Sequence, residues 1–380
     1  MLCCTRKRLR KERKMKILKR IIKLVVLLFL ICMVVIGGYI IYVVATFDRI
    51  ADDIKIDVEE NSSLTITTNM DYSITTYNIG FGAYGPDYSF FMDTGTLKDD
   101  GLKLKGKYGK GISEGNVKKH IDSSIKTLKE LDSDFMLLQE VDTSSTRSYY
   151  MDQRKMYLDS FADYDSTFGV NYHSAYMALP LSDMTGKSNA GLLTLSKYKI
   201  ESATRQSYTI ADGFPDKYID LDRCFTVNEF KVTSSKNLYI INSHMSAYDD
   251  GAARATQLRE LNTYMKNLYD NGHYVICGGD FNQDFCDSSE LFQSTENVPG
   301  WLKTFNAEDL DPVFSTVIPS NKFIVPTARN ACTEYLKNHN YTCIIDGYIV
   351  SDNIKASSRN INTEFKDSDH NPVVLTFSLE

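Results

Sequence analysis

The sequence predicts an α+β body behind one membrane-crossing helix, and three observations lead there. Of 380 residues, 43% are hydrophobic and 12% aromatic, which excludes a disordered, collagenous or small disulfide-stapled chain. Residues 24–47 form an uncharged run dominated by Val, Ile and Leu. Beyond residue 72, short β-like runs alternate with stretches of helical periodicity. The length accommodates two ordinary domains or one large α/β or sandwich body.

Taken in order, residues 1–23 hold 11 Lys/Arg against the single acid Glu12. The uncharged run at 24–47 makes a helix about 36 Å long, enough to cross a hydrocarbon core of about 30 Å with some tilt. Basic residues ahead of the span place residues 1–23 in the cytoplasm and 48–380 outside, giving a single-pass protein of the cell membrane. A cleaved signal peptide is the competing reading, since Val43-Val44-Ala45 resembles a cleavage site. The run, however, exceeds the roughly 7–15 residues of a signal core. Cys32 has no small residue before it, which disfavours a lipoprotein. The net charge of −6 hides this basic end, so the outer body is strongly acidic and unsuited to coating DNA.

Residues 48–72 are polar and read as a stalk, with 73–380 as the outer domain. Val117, Ile121, Ile125, Leu128 and Leu131 recur at helical spacing, as do Ala252, Ala255, Leu258, Leu261, Met265 and Leu268 before Asn271-Gly272. The strand candidates are Ile74–Tyr77, Phe135–Gln139, Leu238–Asn242, Tyr274–Cys277, Ile344–Val350 and Val373–Ser378. Residues 82–116 form a long Gly-, Lys- and Asp-rich insertion of the kind that is usually functional or mobile. Its aromatics Tyr84, Tyr88, Phe90 and Phe91 are expected to fold back onto the core, with substrate or lipid contact as the alternative. Lys187-Ser188-Asn189 is read as a solvated loop, with a place lining the cleft as the alternative. None of the eight cysteines is paired in CxxC, so a zinc ribbon is not indicated. Cys277 reads as a buried free thiol, and a Cys332–Cys343 bridge is open.

Chemistry gathers at the strand ends. Asn78, Glu140, His244, Asp280 with Asn282, Asp346, and Ser368-Asp369-His370 each lie in or beside a strand candidate. One sheet edge can assemble them into a platform of carboxylates, amides and imidazoles. Carboxylate and amide oxygens favour a hard cation, Mg²⁺ or Mn²⁺. Such a platform, with a cation and oriented donors, suits a reaction that builds negative charge in its transition state.

The ordered set Thr76-Tyr77-Asn78, Leu138-Gln139-Glu140-Val141, Asn242-Ser243-His244, Gly279-Asp280-Phe281-Asn282, Ile345-Asp346 and Ser368-Asp369-His370-Asn371-Pro372 resembles the endonuclease/exonuclease/phosphatase superfamily. That superfamily includes deoxyribonucleases, abasic-site endonucleases, inositol-polyphosphate phosphatases and neutral sphingomyelinases. The resemblance covers residues 73–380 and implies a four-layer α/β/β/α sandwich of two mixed sheets flanked by helices. It implies Glu140 as principal metal ligand with Asn78 and Asp369 near the same cation. Asp280 would position or deprotonate water, Asn282 would hold a phosphate oxygen, His370 would pair with Asp346, and His244 would donate to a non-bridging oxygen. Arg223 stands where relatives often carry a phosphate-contacting base. Asp142 departs from the pattern, because deoxyribonuclease-like members often have a base at that place, and a groove tracking nucleic acid is correspondingly disfavoured. His120, His173, His273 and His339 are expected to pack or to face solvent.

The function these implications support is a Mg²⁺-dependent phosphoester hydrolase, held to the membrane through 24–47 and with no obligate protein partner evident. Its substrate would be a phospholipid headgroup, a nucleotide or a nucleic acid. A non-catalytic surface binding protein and a zinc hydrolase using His244, Asp280, Asp369 and His370 are the remoter alternatives.

Overall fold

The computed structural model describes residues 2–210, 213, 218, 221–247 and 251–380. The side chains of residues 1–9, including Cys3, Cys4 and the first expected cytoplasmic bases, lie outside the described residues. The chain divides into two compact units, Met1–Asp48 and Arg49–Glu380. The first is one continuous helix, α1 (Leu2–Ala45), long and apolar enough to cross a membrane.

The second unit contains two seven-stranded sheets. The first runs β1 (Ile54–Lys55), β9 (Ser202–Ser207), β10 (Cys224–Lys231), β11 (Asn237–His244), β12 (Tyr274–Asp280), β16 (Asp346–Ser351) and β13 (Phe314–Thr316). The second runs β17 (Ile354–Asn360), β18 (Val373–Leu379), β3 (Tyr72–Asn78), β6 (Phe135–Asp142), β8 (Asn189–Ser196), β7 (Asp165–His173) and β2 (Val58–Glu59). Each sheet has one parallel pair, β11 with β12 and β3 with β6. Parallel neighbours need a crossover, and the two helices legible in the sequence supply it: α2 (Glu114–Leu131) joins β3 to β6, and α4 (Ala252–Asp270) joins β11 to β12.

Apolar side chains at alternating strand positions meet between the sheets, where Ile74, Leu137, Ile240, Ile276 and Tyr348 are buried. The outer face of the second sheet is covered by α2 and α3 (Gln153–Ser160) through Ile121, Leu128 and Tyr157. On the first sheet, α4 presses Leu258, Leu261 and Met265 against Ile241 and Val275. The α/β/β/α sandwich expected from the resemblance is the observed architecture. Ser113 starts α2 by accepting a bond from Asn116 N at 3.1 Å, and Asp132 ends it with φ +49°.

Several expectations need correction. The expected stalk at 48–72 is not one, for from Arg49 on it belongs to the outer unit: β1 pairs with β9 and β2 with β7, and Ile56 and Ile66 are buried between the sheets. Polar neighbours masked the alternating Ile54, Ile56 and Val58. The expected Ile344–Val350 strand starts two residues later, as β16, and a separate β15 (Thr342–Cys343) precedes it, because the carbonyls of Ile344 and Ile345 turn to Phe285 N and Phe281 N. Cys332 and Cys343 are both free and buried. Ser188 is buried and Asn189 opens an interior strand, so the expected solvated loop is in part sheet. The 82–116 insertion folds into a small aromatic core of Phe81, Tyr84 and Tyr88 and a ribbon, β4 (Thr94–Thr96) with β5 (Lys103–Lys105).

Candidate active site

The carboxyl ends of both parallel pairs converge, which is where open α/β sheets generally present their ligands. Asn78 closes β3, Glu140 lies near the end of β6, and His244 and Asp280 are register partners at the ends of β11 and β12. Antiparallel β16 brings its first residue, Asp346, opposite Asp280. The loop before β18 adds Asp369 and His370.

Backbone conformation aims two of these groups. Glu140 lies where the β6–β8 register shifts and has φ +58°; Asn282 has φ +52°. Left-handed geometry costs a non-glycine residue about 1–2 kcal/mol, and such outliers cluster at sites whose surroundings hold them in place. Beneath the site Gln139 Nε2 spans the sandwich, donating to Thr76 Oγ1 at 3.1 Å and to Asn242 Oδ1 at 2.8 Å. Asn242 donates onward to the carbonyls of Leu138 and Leu193 at 3.3 Å. This buried amide pair locks the two strand ends together.

Within the site, Asn78 Nδ2 donates to Asp280 Oδ2 at 3.0 Å and to Glu140 Oε1 at 3.3 Å, while its oxygen accepts from Gly80 N. So oriented, Asn78 spaces the two acids. Glu140 and Asp369 therefore present the accessible hard oxygens, with Asp280 beside them. His370 Nδ1 is 2.9 Å from Asp346 Oδ2, and its Nε2 is 3.7 Å from Asp280 Oδ2. Thr327 Oγ1 accepts from Asp346 N at 3.2 Å, anchoring that strand start. His244 Nε2 is 3.5 Å from Asp280 Oδ2 and 4.0 Å from Glu140 Oε1. Asn282 donates Nδ2 to Met245 O at 3.0 Å and its backbone N to Asp280 Oδ1 at 2.9 Å.

The electrostatics separate the roles. Burial pushes the Asp280 carboxyl up to about 6 against the opposing pull of His370. Burial likewise raises Asp369 to about 7, which His370 and Arg329 oppose and Glu140 reinforces. His370 is held well above the ordinary imidazole range: Asp346 and then Asp280 overcome its desolvation. His244 goes the other way, lowered by burial and then by Arg223. One imidazole is thus kept protonated and the other neutral.

These residues line a cleft of about 560 Å³. Phe81, Phe90, Phe91, Met92, Met177 and Leu179 give it an apolar wall, so the insertion both folds back and faces the cleft. Arg223 lines the cleft and is buried, with Nε and Nη1 lacking a hydrogen-bond partner among the described residues. Sequence reasoning missed Gln139 and Asn242 as positioning groups, and Arg147 and Arg329, which also line the cleft. Asp142 does not line it; the carboxylate is buried against Arg147. An acid ending a strand five residues before an Arg was the available signal. His120 is a packing residue, its Nδ1 2.9 Å from Gly82 O.

The donor chemistry fits a divalent cation. Clustered carboxylates whose charge is disfavoured by burial and by one another are what a cation relieves, and the carboxylate oxygens of Glu140, Asp280 and Asp369 are hard donors. Asp280, Asp346 and His370 also place ligand atoms within 4.8 Å of one another, a group with the spacing to hold a metal.

Residues 75–330 match the Endonuclease/Exonuclease/phosphatase family, and the chain belongs to it. It is a phosphoester hydrolase by family. No curated protein matches the chain. Among solved structures, an endonuclease/exonuclease/phosphatase from Beutenbergia cavernae DSM 12333 is 15% identical over 81% of this chain and 72% of its own, with TM-score 0.52. ANGEL2, a 2',3'-cyclic phosphatase solved with adenosine-2',3'-vanadate, is 16% identical over 86% of this chain and 99% of its own, with TM-score 0.51. At these identities the likeness shows the fold.

Proposed function

We propose that the chain is a Mg²⁺-dependent phosphodiesterase, anchored by α1 and working outside the cytoplasm. The observation that carries the reaction is the His370–Asp346 pair at 2.9 Å, set beside Asp280 and Glu140 at the ends of both parallel strand pairs. Glu140 and Asp369, with Asp280 or Asn78 adjacent, would hold the cation; Mn²⁺ suits the same oxygens. When bound there, it supplies Lewis-acid stabilisation of the phosphoryl charge.

The remaining chemistry falls to the protein's own groups. Asp280, raised to about 6, is suited to orient water and accept its proton near neutral pH. His370, kept protonated by Asp346, donates towards the oxygen that gains charge as the ester bond breaks. His244 contributes a neutral imidazole on the other side of Asp280, and Arg223 offers unsatisfied donors to phosphoryl oxygens. Asn282 orients Asp280 through its backbone N–H, a different use from the phosphate contact expected of its side chain, which in this arrangement bonds Met245 O.

Anchoring rests on the length and apolar character of α1, and the outer placement of 49–380 on the basic residues that precede its apolar stretch. The apolar cleft wall favours a phosphoester with an apolar portion beside its phosphate, such as the acylglycerol or ceramide side of a phospholipid, over a polymer backbone. Incubating the full-length protein in detergent with sphingomyelin, phosphatidylcholine, plasmid DNA and RNA tests the choice. Release of a phosphorylated headgroup supports this reading, and cleavage confined to nucleic acid replaces it with the nuclease.

A further inference from the structure

Asp142 and Arg147 form a device that the strand-end residues leave unexplained. Asp142 ends β6 fully buried, and its carboxylate accepts twice from one guanidinium: from Arg147 Nε at 3.1 Å and from Nη2 at 2.8 Å. That fork occupies one edge of the guanidinium and leaves Nη1 on the other. The plane lies over the Phe81 ring, 3.9 Å from its centroid, with the Tyr172 ring at 5.4 Å. One cation is therefore fixed by a bidentate acid and a stacking ring, and it lines the same cleft as Glu140, His244 and Arg223.

Stability gives a poor reason for this arrangement. Desolvating two charges commonly offsets their attraction, and a well-packed apolar pair in the same volume does as well or better. Asp142 shows the cost, since burial raises its carboxyl despite the guanidinium. What the pair provides is an oriented, permanently charged donor. Arg223 supplies the independent observation: it is 4% exposed, lines the cleft, and has two guanidinium nitrogens without a partner among the described residues. A buried donor left unmade is expensive, and an anion shared with a neighbouring guanidinium satisfies it. Both arginines depress His244, Arg223 more than Arg147, so the charge of each reaches the catalytic groups.

We infer that Arg147 is a phosphoryl-binding residue which, with Arg223, clamps the non-bridging oxygens of the substrate's phosphate, and that Asp142 is its positioning residue. Planar forks suit tetrahedral oxyanions, and a lysine ammonium does not reproduce them. The base that deoxyribonuclease-like relatives often carry at the place of Asp142 is thus delivered here from five residues further on. The inference rests on the phosphoester reading for its substrate, but inorganic phosphate can test it without turnover.

The test uses the full-length protein in detergent with Mg²⁺, comparing wild type, Arg147→Met, Arg147→Lys and Asp142→Asn. Two readouts are taken: turnover of bis(4-nitrophenyl) phosphate, and calorimetric binding of inorganic phosphate. Arg147→Met should lower kcat/KM by about 10²-fold, the scale of one lost charged donor, and weaken phosphate binding about tenfold. Arg147→Lys should recover only part of each, and Asp142→Asn should raise KM more than it lowers kcat. If Arg147→Met stays within about twofold of wild type in both readouts while melting lower, the pair is structural and the inference is overturned. Should the methionine variant not fold, Arg147→Lys decides: unchanged phosphate affinity and KM overturn the inference. Absence of wild-type turnover would count against the phosphoester reading, while the phosphate titration would still judge Arg147.

Discussion

At the scale of single residues, the site works by pushing similar groups apart. Two imidazoles share one carboxylate neighbour, Asp280, yet His370 is held protonated by Asp346 while burial keeps His244 neutral. Replacing Asp346 by Asn removes the largest influence raising the His370 imidazole. Turnover of bis(4-nitrophenyl) phosphate should fall by about 10²-fold or more, the usual worth of a general acid. The imidazolium then loses its proton at lower pH, so the alkaline limb of the kcat/KM profile should move towards acid. An unmoved limb would mean that His370 is not the acid. Glu140 offers a second test, because its φ of +58° is easy for glycine and strained for alanine. Glu140→Gly and Glu140→Ala should both lose activity, with the glycine variant more stable by about 1 kcal/mol in denaturant melts.

At the scale of elements, the catalytic edge depends on the amide bridge beneath it. Gln139 and Asn242 tie the sheets together one or two residues before Glu140 and His244. Gln139→Ala leaves Asn242 without its donor, and urea melts should show a loss of about 2–4 kcal/mol with a parallel fall in activity. Leu128→Ala, in the last turn of α2, should cost a similar amount and leave kcat near wild type, since Leu128 packs within the layer of α2 and the second sheet. The elements legible in the sequence share a physical property. Strands Phe135–Gln139, Leu238–Asn242 and Tyr274–Cys277 are near-continuous apolar runs because they are central and covered on both faces, while Ile74–Tyr77 stands out by its β-branched Ile and Thr. The helices α2 and α4 kept a clean 3.6 period because each has one buried face. Strands β7, β9 and β10 carry Ser, Thr, Asn, Arg and Glu, and much of that polarity is turned into the sandwich, so they do not read as apolar runs. Thr167 Oγ1, for instance, donates to Asn228 Oδ1 at 2.6 Å. The site residues stood out because chemistry-bearing side chains follow apolar runs. Arg147 did not, since it follows the polar stretch Thr143-Ser144-Ser145-Thr146 and not an apolar run.

At the scale of the whole molecule, residues 49–66 strap the edges of both sheets and bury Ile56 and Ile66 between them. A chain shortened to begin at Leu64 should melt lower than one beginning at Arg49, because it uncovers two sheet edges and removes Ile56. The central claim is that residues distant in sequence converge into one cation-dependent phosphoester site. Its most direct test is turnover of bis(4-nitrophenyl) phosphate by the full-length protein after chelation, after Mg²⁺ is returned, and in His370→Ala. Chelation should abolish turnover, Mg²⁺ should restore it, and the alanine variant should remain at least about 10²-fold slower even with Mg²⁺ present. Turnover at the level of untreated wild type, either in the chelated protein or in His370→Ala, would contradict the account.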